Sequence, residues 1–294
     1  MKQLTGNQVR QMFLDYFESK GHMIEPGASL VPINDPSLLW INAGVAALKK
    51  YFDGSEVPDS RRITNIQKCI RTNDIENVGI TKRHQTFFEM MGNFSVGDYF
   101  KKEAIHFAFE LLTSPEYFDI DKDLLYVTVY LDDEEAKKYW INEGLDEDHI
   151  VPLEGNFWEI GEGPCGPDSE IFYDRGPKYD PEKQGIKLLE KELENDRYIE
   201  IWNNVFMEFE KHSDGTITEL PKKNVDTGMG VERTAAILEG VKDNYLSSIW
   251  KDVIELICEI SGLSYEGNEK SMRIIADHIR TAVFVSADNA GIKP

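Results

Sequence analysis

Arg71, Arg233, Asn203 and Asp226 each carry a group that either an ordinary structural partner or a bound ligand must satisfy. Arg233 falls in NVDTGMGVERTAAIL, where a short apolar run turns through Gly228 and Gly230 into an amphipathic helix, placing a guanidinium in the first helical turn. The unpaired amides there carry about half a positive charge, so a cation costs a few tenths of a kcal/mol unless an anion offsets it. Either an acidic neighbour such as Glu232 satisfies Arg233, or an anion binds. Arg71 ends the run RRITNIQKCI, and Arg83, His84, Phe87 and Phe88 follow the polar loop before HQTFFEMMGNF. A guanidinium holds a phosphate bidentately, and an aromatic ring stacks on a base. The plainer readings are a surface ion pair of Arg71 with Asp74 or Glu76 and a core position for one of the two phenylalanines.

In YIEIWNNVFMEF, period-two alternation puts Ile199, Ile201, Asn203, Val205, Met207 and Phe209 on one strand face. Asn203 is then an amide in an apolar file, and burying it without partners costs about 1 to 3 kcal/mol. It needs a partner from the protein or from a ligand. Asp226 ends a neighbouring strand, where a carboxylate either caps the following helix or binds an ammonium. The glycines form no dinucleotide fingerprint, since Arg233 replaces the third glycine, and no phosphate loop, since GK[ST] is missing. Trp158 stands beside the glycine- and proline-rich turn EGPCGP, which suits either a cleft rim or the core. Cys165, in that turn, has no base nearby in sequence and is not read as a nucleophile.

The elements that must position these groups follow from periodicity. Residues 5–20 read as a capped helix with Val9, Met12, Phe13, Tyr16 and Phe17 on one face, ended by Gly21. Ser29 to Val31 reads as a short extended segment, and Pro32 and Pro36 frame a loop. Residues 61–70 and 84–94 read as two hairpin strands, KKEAIHFAFELLTS as a helix stopped by Pro115, and LLYVTVYL as a strand. NFWEIGEGPCGPDSEIFYD reads as strand, loop and strand. Residues 176–197 are mostly charged and read as a solvated excursion before the strand Tyr198 to Phe209. Runs of strands with interspersed helices favour an α+β fold on a mainly antiparallel sheet.

Composition sets the outer bounds. The 294 residues, 41% hydrophobic, suffice for one large domain or two ordinary ones. Three distant cysteines and six histidines without metal-ligand spacing predict free thiols in a reducing compartment and no protein-bound metal, including zinc. No run of about 18 apolar residues and no apolar leader occur, so no membrane association and a cytoplasmic protein are expected. Lys plus Arg number 32 against 53 Asp plus Glu, a net charge of −21, so nucleic-acid contact must be local or use a further segment. The helical pattern MRIIADHIRTAVFVSA needs further elements to cover its apolar face, which suggests a piece of a longer chain.

Together the blocks ASLVPINDPSLLWINAGVAALKKYFDG, CIRTNDIENVGITKRHQTFFEMMGNFSVGDYF, NFWEIGEGPCGPDSEIFYD, RYIEIWNNVFMEF, NVDTGMGVERTAAIL and ADHIRTAVF resemble the alanyl-tRNA synthetases, in that family's order and over almost the whole chain. Pro32 is similar to the class II motif 1 proline, Arg71 and the HxxxF of His84 and Phe88 to motif 2, and GMGVER ending at Arg233 to motif 3. The resemblance implies a class II aminoacyl-tRNA synthetase fold, with a sheet of roughly six or seven strands flanked by helices. It implies activation of alanine by ATP with Mg2+, giving alanyl-adenylate and pyrophosphate, and transfer to tRNA(Ala) by the longer chain. Carried over by position, Arg71 would act on the α-phosphate and Arg233 on the γ-phosphate as the catalytic pair. His84 and Gln85 would bind ATP beside Phe88, stacked on adenine. Asp226 and Asn203 would take the alanine ammonium, and Val45, Trp158, Val205 and Gly228 would form a methyl-sized pocket.

Three departures from the family's pattern bear on this. Gln85 stands where a second histidine is common, and an amide still donates but cannot become cationic. The motif 2 loop has only TND, so no loop contact to ATP or acceptor stem is carried over. Val45 replaces a common methionine. The resemblance further implies an activation domain at residues 1–245 and the truncated start of a helical tRNA-recognition domain at 246–294. A zinc-bearing editing module and the oligomerising regions would lie beyond, so a monomer is expected here. A non-catalytic paralogue used as a binding module is the alternative, and retention of Arg71, Asn203, Asp226 and Arg233 favours catalysis.

Overall fold

The computed structural model describes residues 1–33, 38–159 and 161–288. Helix α1 (Gly6–Ser19) opens on the expected reciprocal cap: the Thr5 hydroxyl accepts from the Gln8 amide, and the Gln8 side chain accepts from the Thr5 amide. Val9, Phe13, Tyr16 and Phe17 are buried along its inner face. Among the described residues nine strands form one sheet system: β1 (Met23–Ile24), β2 (Arg62–Ile70), β3 (Phe87–Val96), β4 (Leu125–Tyr130), β5 (Ile150–Leu153), β6 (Phe157–Trp158), β7 (Gly163–Asp174), β8 (Tyr198–Lys211) and β9 (Ile217–Gly230). Their order is β1-β2-β3-β9-β8-β7-β4-β5, with β6 against β7.

The central run from β2 to β4 is antiparallel throughout, while β1 joins β2 and β5 joins β4 in parallel. The sheet therefore exceeds the six or seven strands expected, the surplus being the short β1, β5 and β6. The remaining helices are α2 (Gly44–Phe52), α3 (Lys101–Thr113), α4 (Glu134–Glu143), α5 (Lys187–Glu190), α6 (Val231–Leu238), α7 (Lys251–Ser261) and α8 (Glu269–Ala287). Helices α1, α3, α4 and α6 cover one sheet face in the larger core, with Trp202, Phe206, Met91 and Met229 beneath them. The other face carries only a small core, where Val45, Leu48 and Phe52 of α2 meet Phe94, Val205 and Met207. Leaving that second face mostly uncovered makes room for a cleft.

Four local expectations change. The second hairpin strand begins at Phe87 instead of His84, because Thr86 turns its amide to the Asp277 carboxylate of α8 at 2.7 Å. Ser29 to Val31 form no strand; Leu30 is buried, and its amide donates to Asp288. Pro32 is described without regular structure, and Pro36 lies outside the described residues.

The segment 176–197 is no solvated excursion. Leu188 and Leu189 pack on Val151 and Tyr198, and Arg197 bridges Asp174 and Asp180. Finally, the β7/β8 register shifts at Ile171/Phe172, which face Trp202 and Glu200 and leave Ile201 without an opposite residue. Ile199 and Ile201 consequently join the larger core, while Val205 and Met207 join the α2 side. One extra residue divides the file that alternation alone kept whole.

Candidate active site

Arg71, His84, Gln85, Phe88 and Arg233 line a single cleft of about 640 Å³, partly open to solvent, with Gly228 on its wall. Arg71 leaves the end of β2, its Nε donating to the Asn42 carbonyl at 3.0 Å and its guanidinium lying 5.2 Å over the Phe88 ring. Among the described residues no carboxylate takes its Nη atoms, and the surface ion pair with Asp74 or Glu76 does not form. Phe88 thus faces the cleft, while Phe87 is buried and stacked on Phe284 of α8.

Arg233 sits in the first turn of α6, and its Nη1 donates to the Glu200 carbonyl at 3.1 Å and to Glu200 Oε2 at 2.9 Å. The acid that offsets it therefore comes from β8. Glu232 turns the other way, accepting from the Glu89 amide and pairing with Arg280 of α8 at 2.6 Å. Arg233 keeps Nε and Nη2 without partners among the described residues. His84 Nδ1 lies 2.7 Å from the Thr81 hydroxyl, and burial, then the Arg233 and Arg83 cations, lower its pKa, so it is neutral at pH 7. Gln85 is buried, and its Nε2 finds no acceptor among the described residues.

The second group assembles by register on the sheet face that α2 partly covers. Asp168 of β7, Val205 of β8 and Asp226 of β9 form one cross-strand row, and Glu170, Asn203 and Gly228 form the next. Directly paired residues share a face, so these six side-chain positions make one patch. Asp226 is only 7% exposed, has no hydrogen-bond donor among the described residues, and burial alone pushes its carboxyl up to about 7. It does not cap α6, whose N-cap is Gly230 without a side-chain bond. Val45 opens α2 and packs in one cluster with Val205 and the half-buried Trp158. Val45 and Trp158 also line a separate cavity of about 1770 Å³. Neither opening is lined by Asn203, Val205 or Asp226, so the expected amino-acid residues do not share one opening: Gly228 borders the cleft, Val45 and Trp158 border the other cavity, and the remaining three meet only through strand register.

The family profile described as tRNA synthetases class II (A) matches residues 8–294. The chain belongs to the class II (A) tRNA synthetase family. It is 57% identical over 297 residues to the alanine–tRNA ligase of Streptococcus thermophilus (strain CNRZ 1066), covering 99% of this chain and 34% of that protein. It is also 57% identical over 292 residues to the alanine–tRNA ligase of Acholeplasma laidlawii (strain PG-8A), covering 98% and 34%. This class II chain thus spans about a third of the length of the curated relatives it matches. A distant likeness among solved structures is apo S. aureus histidyl-tRNA synthetase, with a TM-score of 0.46, 12% identity, and coverage of 79% of this chain and 67% of that one. Among the described residues, no helix of the synthetase chain is long and apolar enough to cross a membrane.

Four residues of this class II site escape the sequence reading. Asp74 of the short TND loop does reach the cleft, as do Glu200 and Met90. Met90 Sδ lies 2.7 Å from where a Cβ on Gly228 would stand and accepts from the Gly44 amide at 3.4 Å. A side chain at Gly228 would therefore require Met90 to move aside. Asp168 is the protein partner of Asn203, whose Nδ2 donates to Asp168 Oδ2 at 3.1 Å. Its one sequence signal is a lone carboxylate in the apolar, glycine-rich stretch GPCGPD. Burial pushes that carboxyl up to about 6, and burial with the nearby Glu200 and Asp168 carboxylates raises Glu170. Cys165, beside them, is buried with its thiol raised by burial, which suits packing and not attack.

Proposed function

We propose that this chain activates alanine with ATP, forming alanyl-adenylate and pyrophosphate, and that the longer protein transfers the alanine to the 3′ end of tRNA(Ala). The observation that carries the reading is the convergence on one cleft of two guanidiniums, each with donors unengaged among the described residues, beside a ring face. A triphosphate needs such a grip at both ends. Phe88 supplies the stacking surface for the base, and His84 and Gln85 supply neutral polar groups to the phosphates. Asp226 and the Asn203 oxygen supply acceptors for an ammonium, and Val45, Trp158 and Val205, which share one packing cluster, would border the alanine side chain.

In the reaction an oxygen of the alanine carboxylate attacks the α-phosphorus, and the bond from that phosphorus to the bridging oxygen breaks as pyrophosphate leaves. Arg71 stabilises the charge growing on the α-phosphate oxygens, and Arg233 holds the far phosphate in line. The enzyme contributes positioning and charge stabilisation and forms no covalent bond of its own. Mg2+ binds such sites through phosphates and one or two carboxylates. Glu200, with Oε1 unpaired among the described residues, and Asp74 fit that role and would hold the ion, which neutralises phosphate charge when bound.

Residues 1–245 would form the activating domain and 246–294 the beginning of a helical tRNA-recognition domain, in a cytoplasmic protein. The net charge of −21 leaves the grip on the acceptor stem mainly to the remainder of the longer protein. Zinc belongs to an editing region outside this chain. Alanine-dependent exchange of labelled pyrophosphate into ATP tests the reading: exchange is expected, and its absence from a folded, ATP-binding sample overturns it.

A further inference from the structure

One end of Asn203 is accounted for and the other is not. Its Nδ2 donates to Asp168 Oδ2 at 3.1 Å, while its Oδ1 is buried without a donor among the described residues. A side-chain amide can present either end to a neighbour, so something must fix which end faces β7. Asp168 does so, and is itself fixed. Asn156 Nδ2 donates to Asp168 Oδ1 at 2.8 Å and to the Thr128 hydroxyl at 2.9 Å, and the Asp168 amide donates to the Asn156 carbonyl at 2.9 Å. Asp168 thus accepts at both oxygens, a role an ionised carboxylate fills completely. With its nitrogen held toward β7, the Asn203 amide directs its oxygen toward β9. There its register partner Gly228 offers no side chain, and Asp226 lies in the adjacent row on the same face.

We propose that Asp168 is a positioning residue for the amino-acid substrate: by holding the Asn203 nitrogen, it turns the Asn203 oxygen beside the Asp226 carboxylate to receive the substrate ammonium. The inference rests on the adenylation reading above. Two acceptors in adjacent rows of one sheet face match a cation with several N–H donors, and an amide flipped the other way would present its own donors to that cation. Asp168 never meets the substrate, so its effect passes wholly through Asn203.

The test uses alanine-dependent pyrophosphate exchange with KM measured separately for alanine and ATP. Asp168→Asn lets the neighbouring amide flip, and the alanine KM is expected to rise about tenfold or more with the ATP KM within twofold. Asp168→Ser, smaller but still an acceptor, is made in parallel should the amide variant fold poorly, and thermal midpoints are recorded for both. In an Asn203→Ala background, replacing Asp168 should change the alanine KM by less than twofold further, because the two act as one unit. Additive losses, or both KM values moving together, would show a structural role and overturn the proposal. A raised alanine KM in Asn203→Ala with none in either Asp168 variant sinks the Asp168 inference alone. An unchanged alanine KM in Asn203→Ala sinks the ammonium-site reading with it.

Discussion

Arg71 and Asp226 are the residues whose replacement separates the two halves of the chemistry. On the proposed reading, Arg71→Ala would remove a donor aimed at charge that grows in the transition state, so adenylate formation should fall ~10²-fold or more; single-turnover measurement within twofold of wild type would contradict its assignment. Asp226→Asn should raise the alanine KM and leave the ATP KM nearly unchanged, which calorimetric titration with each ligand checks. Because burial lifts the Asp226 carboxyl to about 7, its ammonium-binding form is lost as pH falls through that value, and the alanine KM should climb between pH 8 and 6. The same shift has a stability consequence. Below the ordinary value of 3.8 the group is protonated in both folded and unfolded states and costs nothing; the cost of burying its charge grows as pH rises to about 7. Asp226→Asn should therefore stabilise the protein at pH 8, by roughly 1–3 kcal/mol, with the gain gone at pH 4, as thermal midpoints will show. That Arg71, Phe88 and Arg233 belong together was readable from residue type and position, and they line one cleft. Asp168, Glu200 and Met90 were not, because each meets its partner on a different element of the fold.

At the scale of elements, α8 ties together β3 and α6, a strand and a helix that carry the cleft. Arg280 reaches Glu232 of α6 and Glu89 of β3, and Asp277 accepts from Thr86 just before β3. Glu232 is almost wholly buried at 2% exposure, so removing its cation strands a charge that water cannot reach. Arg280→Ala should cost about 3–5 kcal/mol in urea unfolding, and adding Glu232→Gln should recover at least half of it. An additive loss in the double variant would place the cost in packing against Phe87, Trp250 and Phe284, which the guanidinium also covers. The hairpin, the first helix and the glycine turn into α6 were readable because their signals are local. The bulge at Ile201 was not, since period-two counting has no mark for a residue that β7 leaves unmatched.

In the whole molecule, residues 246–288 build a small core with Tyr245, around Trp250, Ile254, Met272 and Ala276, and also bond to the elements that carry the cleft. Asp288 accepts from the Leu30 amide at 2.7 Å and pairs with Lys68, while Arg273 pairs with Asp243 at 2.6 Å. A chain ending at residue 245 would lose all of these bonds together with Asp277 and Arg280. It is expected to unfold at lower urea and to bind ATP at least tenfold more weakly than the 294-residue chain, as calorimetry would report. Equal ATP affinity in the two would make the helical region an independent attachment.

What the sequence by itself determined was local and chemical: caps, hairpin, turn, acidic balance, and the residue types that could hold an anion. Each depends on neighbours within a few positions or on side-chain chemistry alone. Only the tertiary structure decided which acid serves which base. Glu200 and not Glu232 holds Arg233, Asp168 holds Asn203 across 35 positions, and Asp277 meets Thr86 across 191. Those choices follow from strand register and helix docking, and a one-residue bulge is enough to change the face on which a side chain finds its partner.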